Sequence, residues 1–317
     1  MIFRRLIFLL FILNFFTDTD AADFKPPSRN ERMRAIGTLR GLQPDIRNAF
    51  NPGDDFSPIP VPGPHDWLTI HKEPGQSYQS YVRSGPVRPE GRRSIIYFQP
   101  VGVFQEGKSP SLDSLEEYAR AFFTLEISVL PALSLKDHQL TTRINQYTGK
   151  RQILTIVVLY LLQKNMPKDA YCVLAITMED LYPEPSWNFV FGQASLRDRV
   201  GVFSFARYDP AFYGEPRTQD YETHLLLRSC KVLAHETCHM FGLYHCIFYH
   251  CMMNGSNHLE ESDARPLHLC PVCLHKLYYT IEFNVRDRYM ELLKFHEKEG
   301  FHKEAGWIIK RLKNIAR

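Results

Sequence analysis

His235, Glu236, His239, Gly242 and His245 stand in the pattern His-Glu-x-x-His-x-x-Gly-x-x-His, and no other feature narrows the fold of this chain as much. Just before and within it, Leu226, Cys230, Leu233 and Thr237 recur at helical spacing, so residues 225–242 read as a helix with one inward face. Side chains four apart on a helix project from the same side, one turn apart. His235 and His239 therefore offer two imidazoles to one point, as a pair of zinc ligands must. Glu236 follows the first directly, where a carboxylate can accept a proton from water activated by the metal. The next turn of a straight helix cannot supply a third ligand without bending away. Gly242 tolerates positive φ at a helix C-terminus, so the chain can swing His245 back and leave a fourth coordination position open. With 13 His and 19 Glu, the five-residue core of the pattern arises by chance about 0.03 times, and the full pattern roughly 10 to the minus 4 times. That scarcity favours a metal site over a helix whose histidines only satisfy core hydrogen bonds.

A second constellation follows at once. Cys246-x4-Cys251 and Cys270-Pro271-Val272-Cys273 are separated by eighteen residues and read either as a closed four-thiolate zinc site or as two disulfides. The short Cys-x2-Cys pair with proline inside it favours metal. Cys172, Cys230 and Cys238 fall in an expected strand or on the motif helix and read as small buried hydrophobes.

The remainder of the chain sets the frame. Hydrophobic residues at 44% and charged residues at 23% exclude collagen-like, coiled-coil and wholly disordered classes. Lys plus Arg 38 against Asp plus Glu 35 is too even to argue for nucleic acid as a partner. Arg4 and Arg5 precede an apolar run, residues 6–16, that stops at Thr17-Asp18-Thr19-Asp20. A transmembrane span needs about 20 apolar residues, so the run reads either as a signal peptide cleaved after Ala21 or as a buried or disordered helix. Export would make the disulfide reading of the cysteines more plausible. Pro52, Pro58, Pro60, Pro62 and Pro64 preclude a helix or central strand around them, and residues 23–93 read as an extended surface segment anchored by Trp67 and Tyr81. Strands are expected at 95–103, 125–133, 170–177, 189–192 and 202–207, with helices at 115–123 and 153–163. That alternation implies an α+β fold with an α/β-like first part and helices packed on a sheet. The expected division is 1–22 signal-like, 23–93 extension and 94–317 catalytic domain, itself split into 94–242 with the sheet and motif helix and 243–317 with the four cysteines. Residues 303–317 are amphipathic and read either as a membrane-surface helix or as a terminal helix with its apolar side packed and its basic residues solvated.

The run from His235 to Cys273, with Cys251-Met252-Met253 inside it, resembles the archaemetzincins, zinc metalloproteases of the metzincin clan. Asp180-Leu181-Tyr182-Pro183, residues 186–196 and residues 255–263 are similar to the animal members, the second paralogue above all. The resemblance covers residues 94–285, with Asp66-Trp67 and residues 307–310 as further echoes. It implies a metzincin fold: a twisted mixed sheet with the active-site helix and a smaller helical C-terminal subdomain. It further implies two zinc ions, a catalytic one on His235, His239 and His245 and a structural one on Cys246, Cys251, Cys270 and Cys273. Glu236 would be the general base and Met253 the Met-turn methionine beneath the histidines. Peptide or protein substrates would add as a strand to a sheet edge within residues 189–207, and the location would be intracellular, or secreted if the signal-like segment functions; a monomer is expected. The stretch between Tyr208 and Leu225 is shorter than in the animal members, and the apolar N-terminus departs from an intracellular family. A zinc-stabilised interaction module without turnover is the alternative function. An altered Glu236 would favour it, and Glu236 is intact.

Overall fold

The computed structural model describes residues 24–136 and 140–316, so the signal-like segment lies outside the described residues. Four short helices come first: α1 (Arg29–Ile36), α2 (Pro44–Phe50), α3 (Trp67–Ile70) and α4 (Tyr78–Arg83). They flank the proline cluster without entering it, so the prolines exclude helix as expected, while the extended reading fails on both sides of them. Ser28 makes a full capping box with Glu31, and Ser77 caps α4, local signals outside the proline run. Next come β1 (Ile95–Val101), α5 (Leu112–Phe123), β2 (Ile127–Val129), β3 (Thr142–Ile144), β4 (Arg151–Leu154), α6 (Thr155–Lys164), β5 (Ala170–Thr177), β6 (Asp180–Tyr182), β7 (Gly192–Ser195) and β8 (Val200–Ser204). The chain ends in five helices: α7 (Tyr221–Met240), α8 (Leu259–Ala264), α9 (Pro271–Ile281), α10 (Val285–Lys298) and α11 (His302–Ile315). Among the described residues no helix is long and apolar enough to cross a membrane.

The described residues fall into two compact units. One comprises 89–120 and 125–229. The other comprises 24–88, 121–124 and 230–316.

In the first unit a five-stranded mixed sheet runs in the order β2-β1-β5-β8-β7, parallel except for the antiparallel β7–β8 hairpin. Every residue of β5 is buried, as a central parallel strand covered on both faces requires. A small sheet, β3-β4-β6, lies beside a core of Ile153, Val158, Leu162, Leu181 and Val190. Three differences from expectation have local causes. α5 starts at Leu112 because Ser111 Oγ accepts the Ser114 N–H. The apolar run 153–163 holds the end of a strand as well as a helix, since β4 passes directly into α6. Phe189 and Phe191 are not strand residues: Phe191 stacks on Tyr208 and Phe189 lies under the Arg207 guanidinium.

The second unit is helical. His275 of α9 stacks on Phe50 at 4.3 Å and on Tyr78 at 3.6 Å, which seats α2 and α4 against it. Trp307 of α11 stacks on His268 at 3.6 Å. The basic residues of α11 are not all solvated. Arg311 is buried, pairs with Asp55 at 2.9 Å and donates to the Asn48, Ala49 and Asn51 carbonyls.

Candidate metal centre

α7 presents His235 and His239 one turn apart and ends as the glycine pattern implies. Gly242 has φ +81°, its N–H donates to the His239 carbonyl, and the Leu243 N–H donates to the Cys238 carbonyl. That pair of bonds is a Schellman C-cap, and it reverses the chain so that His245 returns beside the helix. The ring centroids of His235, His239 and His245 lie 4.6, 5.3 and 5.1 Å apart pairwise, and all three side chains are buried.

The tautomers follow from the partners of each Nδ1. His235 Nδ1–H donates to the Met252 carbonyl at 3.0 Å, and His239 Nδ1–H to the Leu243 carbonyl at 2.6 Å. Glu73 Oε1 takes His245 Nδ1–H at 2.8 Å. Burial and the neighbouring imidazoles hold His235 well below its ordinary value and His239 down to about 3, so both rings are neutral. A neutral ring protonated at Nδ1 carries a lone pair at Nε2. The Nε2 atoms of His235 and His239 face each other at 3.0 Å, a repulsive meeting of lone pairs unless a cation accepts both. One ligand atom from each of the three histidines lies within 4.8 Å of the others. These residues fit zinc, which takes imidazole nitrogens and keeps an open position when the protein supplies three ligands.

Glu236 is buried, and burial pushes its carboxyl up to about 8 against the opposing pull of Arg265. Among the described residues its Oε1 has no hydrogen-bond partner. A buried acceptor left in that state calls for a polar partner, and a water at the open position of a metal would provide one.

Cys246, Cys251, Cys270 and Cys273 also converge, all buried, with one sulfur from each within 4.8 Å of the rest. Cys246 Sγ and Cys270 Sγ lie 3.6 Å apart, far beyond the roughly 2.05 Å of a disulfide. Zinc at about 2.3 Å from each sulfur of a tetrahedron would set them about 3.8 Å apart. Burial opposes ionisation at Cys246, Cys251 and Cys270. At Cys246 the three neighbouring thiols and Lys276 win and pull it well below its ordinary value, while Cys251 and Cys270 stay well above theirs. Of these three the protein alone favours a thiolate at Cys246, and a dication is what would stabilise four. Asn254 braces this loop by donating to the Cys246 and Tyr249 carbonyls and accepting the Cys251 N–H.

Met252 and Met253 are both buried. Met252 supplies the carbonyl on His235, and the Met253 carbonyl accepts the Cys246 N–H. Cys172, Cys230 and Cys238 are buried as well. Glu73 escapes sequence reasoning: it stands 172 residues from His245, in a stretch with no periodicity to mark it.

The family model for peptidase family M54 matches residues 138–279. Archaemetzincin-2 of Homo sapiens is 41% identical over 302 residues, 86% of this chain and 82% of its own length. Archaemetzincin-1 of Mus musculus is 33% identical, covering 78% of this chain and 55% of its own. The crystal structure of archaemetzincin from Methanopyrus kandleri aligns with a TM-score of 0.44 and 30% identity, over 62% of this chain and 99% of that one. Identity at the level of the human protein, sustained far beyond the histidine motif on both sides, shows that this chain belongs to the archaemetzincins, the zinc metallopeptidases of family M54.

Proposed function

We propose that the chain hydrolyses peptide bonds with a catalytic zinc on His235, His239 and His245 and with Glu236 as general base, while a second zinc on Cys246, Cys251, Cys270 and Cys273 is structural. The observation that carries the reading is the convergence of three buried imidazoles, each with its Nδ1 engaged by a carbonyl or carboxylate, with the Nε2 atoms of His235 and His239 facing each other at 3.0 Å. When bound, zinc supplies Lewis-acid polarisation of the scissile carbonyl and activation of water. Glu236 takes the proton from that water and hands it to the departing amine. Met253 forms the floor beneath the histidines. An extended peptide substrate adds as a strand to a sheet edge within residues 189–207. The chain acts as a monomer, and residues 24–88, expected as an extension outside a 94–317 catalytic domain, belong to one compact unit with the histidine-bearing residues 230–316.

A peptide-library assay of the zinc-loaded chain tests the enzyme reading. Glu236→Gln should lower turnover by about 10² to 10⁴-fold with zinc retained, since Glu236 is not a ligand. His239→Ala should lose the catalytic zinc and activity together. Cleavage that survives Glu236→Gln would contradict the assignment of the base.

A further inference from the structure

Glu73 sits where the resemblance assigns no role and outside the residues that the family model matches. Its Oε1 receives two hydrogen bonds, from His245 Nδ1 at 2.8 Å and from the Trp67 indole Nε1 at 2.8 Å. The indole is itself fixed. It meets the His245 ring edge to face at 5.0 Å and stacks on His71 at 3.9 Å. Its backbone N–H is held by Glu261. Gly255, two residues after Met253, lies so close beneath the indole that an added Cβ would come within 2.4 Å of the ring. Three residues beyond Glu73, Gln76 donates to the Gly242 carbonyl at 3.0 Å and accepts the Tyr244 N–H at 3.1 Å. Residues 67–76 therefore grip both ends of the turn that carries His245.

His235 and His239 ride on a helix, but His245 stands on a loop and depends on its surroundings for orientation. Metal-binding histidines commonly donate their second N–H to a carboxylate, which fixes tautomer and ring direction and raises ligand basicity. We propose that Glu73 is the positioning residue of the metal site: its carboxylate, clamped by Trp67, holds His245 with Nε2 turned toward His235 and His239. The inference rests on the reading of those histidines as zinc ligands, and it makes residues 67–76 a working part of the metal centre.

The test is zinc affinity in the full chain, measured by competition with a chelator, on wild type, Glu73→Gln and Glu73→Leu. Gln keeps an acceptor but loses the charge, so His-site affinity should fall by about 10-fold; Leu loses both and should cost about 100-fold. Thermal unfolding of metal-free Glu73→Gln, and the near-ultraviolet thiolate charge-transfer bands of the cobalt(II) forms of both variants, should match the corresponding wild-type forms, while the visible cobalt bands of the histidine site should change. That graded, site-confined response is not what simple loosening of the fold produces. Equal His-site affinity in all three proteins would overturn the role of Glu73 alone. A wild type that binds zinc at the cysteines only would overturn the ligand reading beneath it.

Discussion

Glu236 lies within α7, directly after His235, in a buried setting that penalises folding. Its carboxyl titrates near 8 in the folded chain without metal, against an ordinary value of 4.5. Between those values the folded chain holds a proton that the unfolded chain has released, so this group makes the metal-free fold less stable as pH rises through the window. Glu236→Gln removes the titration while keeping the size. Metal-free Glu236→Gln should therefore exceed metal-free wild type in stability near pH 7 by up to about 3 kcal/mol, with the gap closing toward pH 4.5. Urea unfolding of chelator-treated proteins across that range checks it, and a gap independent of pH would contradict the burial argument. His235, Glu236, His239 and His245 were all legible as a constellation because helix geometry fixes what a spacing of four means. Arg265 and Asn254 were not. Each acts through a contact made by the fold: Arg265 beside His235, and Asn254 across the cysteine loop.

At the level of elements, the best-read pieces are those whose pattern and burial agree. β5 is found at the expected residues because an unbroken apolar run suits a strand covered on both faces. β3 and β6 carry no such run, and what fixes them is a buried polar knot. Asp180 of β6 accepts two bonds from Arg207, both at 2.8 Å, and a third from Gln152 of β4 at 2.8 Å. Arg207 in turn lies over the Phe189 ring. Both charges are nearly excluded from solvent, with side-chain exposures of 6% and 1%. Removing one partner strands the other, so Asp180→Asn should destabilise the protein by about 3 to 5 kcal/mol. The double change Asp180→Leu with Arg207→Met should cost less than the single one. Denaturant unfolding of both variants decides this, and a single variant within experimental error of wild type would show that the pair does not anchor these strands.

Across the whole molecule, the family and the chemistry of the site were readable from one contiguous stretch, His235 to Cys273, while the architecture supporting it was not. The second unit draws on residues 24–88 as well as 230–316, and short helices with little periodicity gave no warning that they pack beside α9. Arg311 illustrates the reason. On sequence it belongs to a basic surface, yet it is buried against Asp55, a partner 256 residues away. Such pairings are settled only when distant segments meet. The central claim, two zinc ions in chemically distinct sites, is tested most directly by metal analysis of the purified full chain, its Cys270→Ser variant and its His239→Ala variant. The account predicts two zinc atoms per chain in wild type and about one in each variant, with the remaining metal held by thiolates in His239→Ala and by imidazoles in Cys270→Ser. One zinc or none in wild type, or four cysteines paired as disulfides under mass analysis, would contradict it.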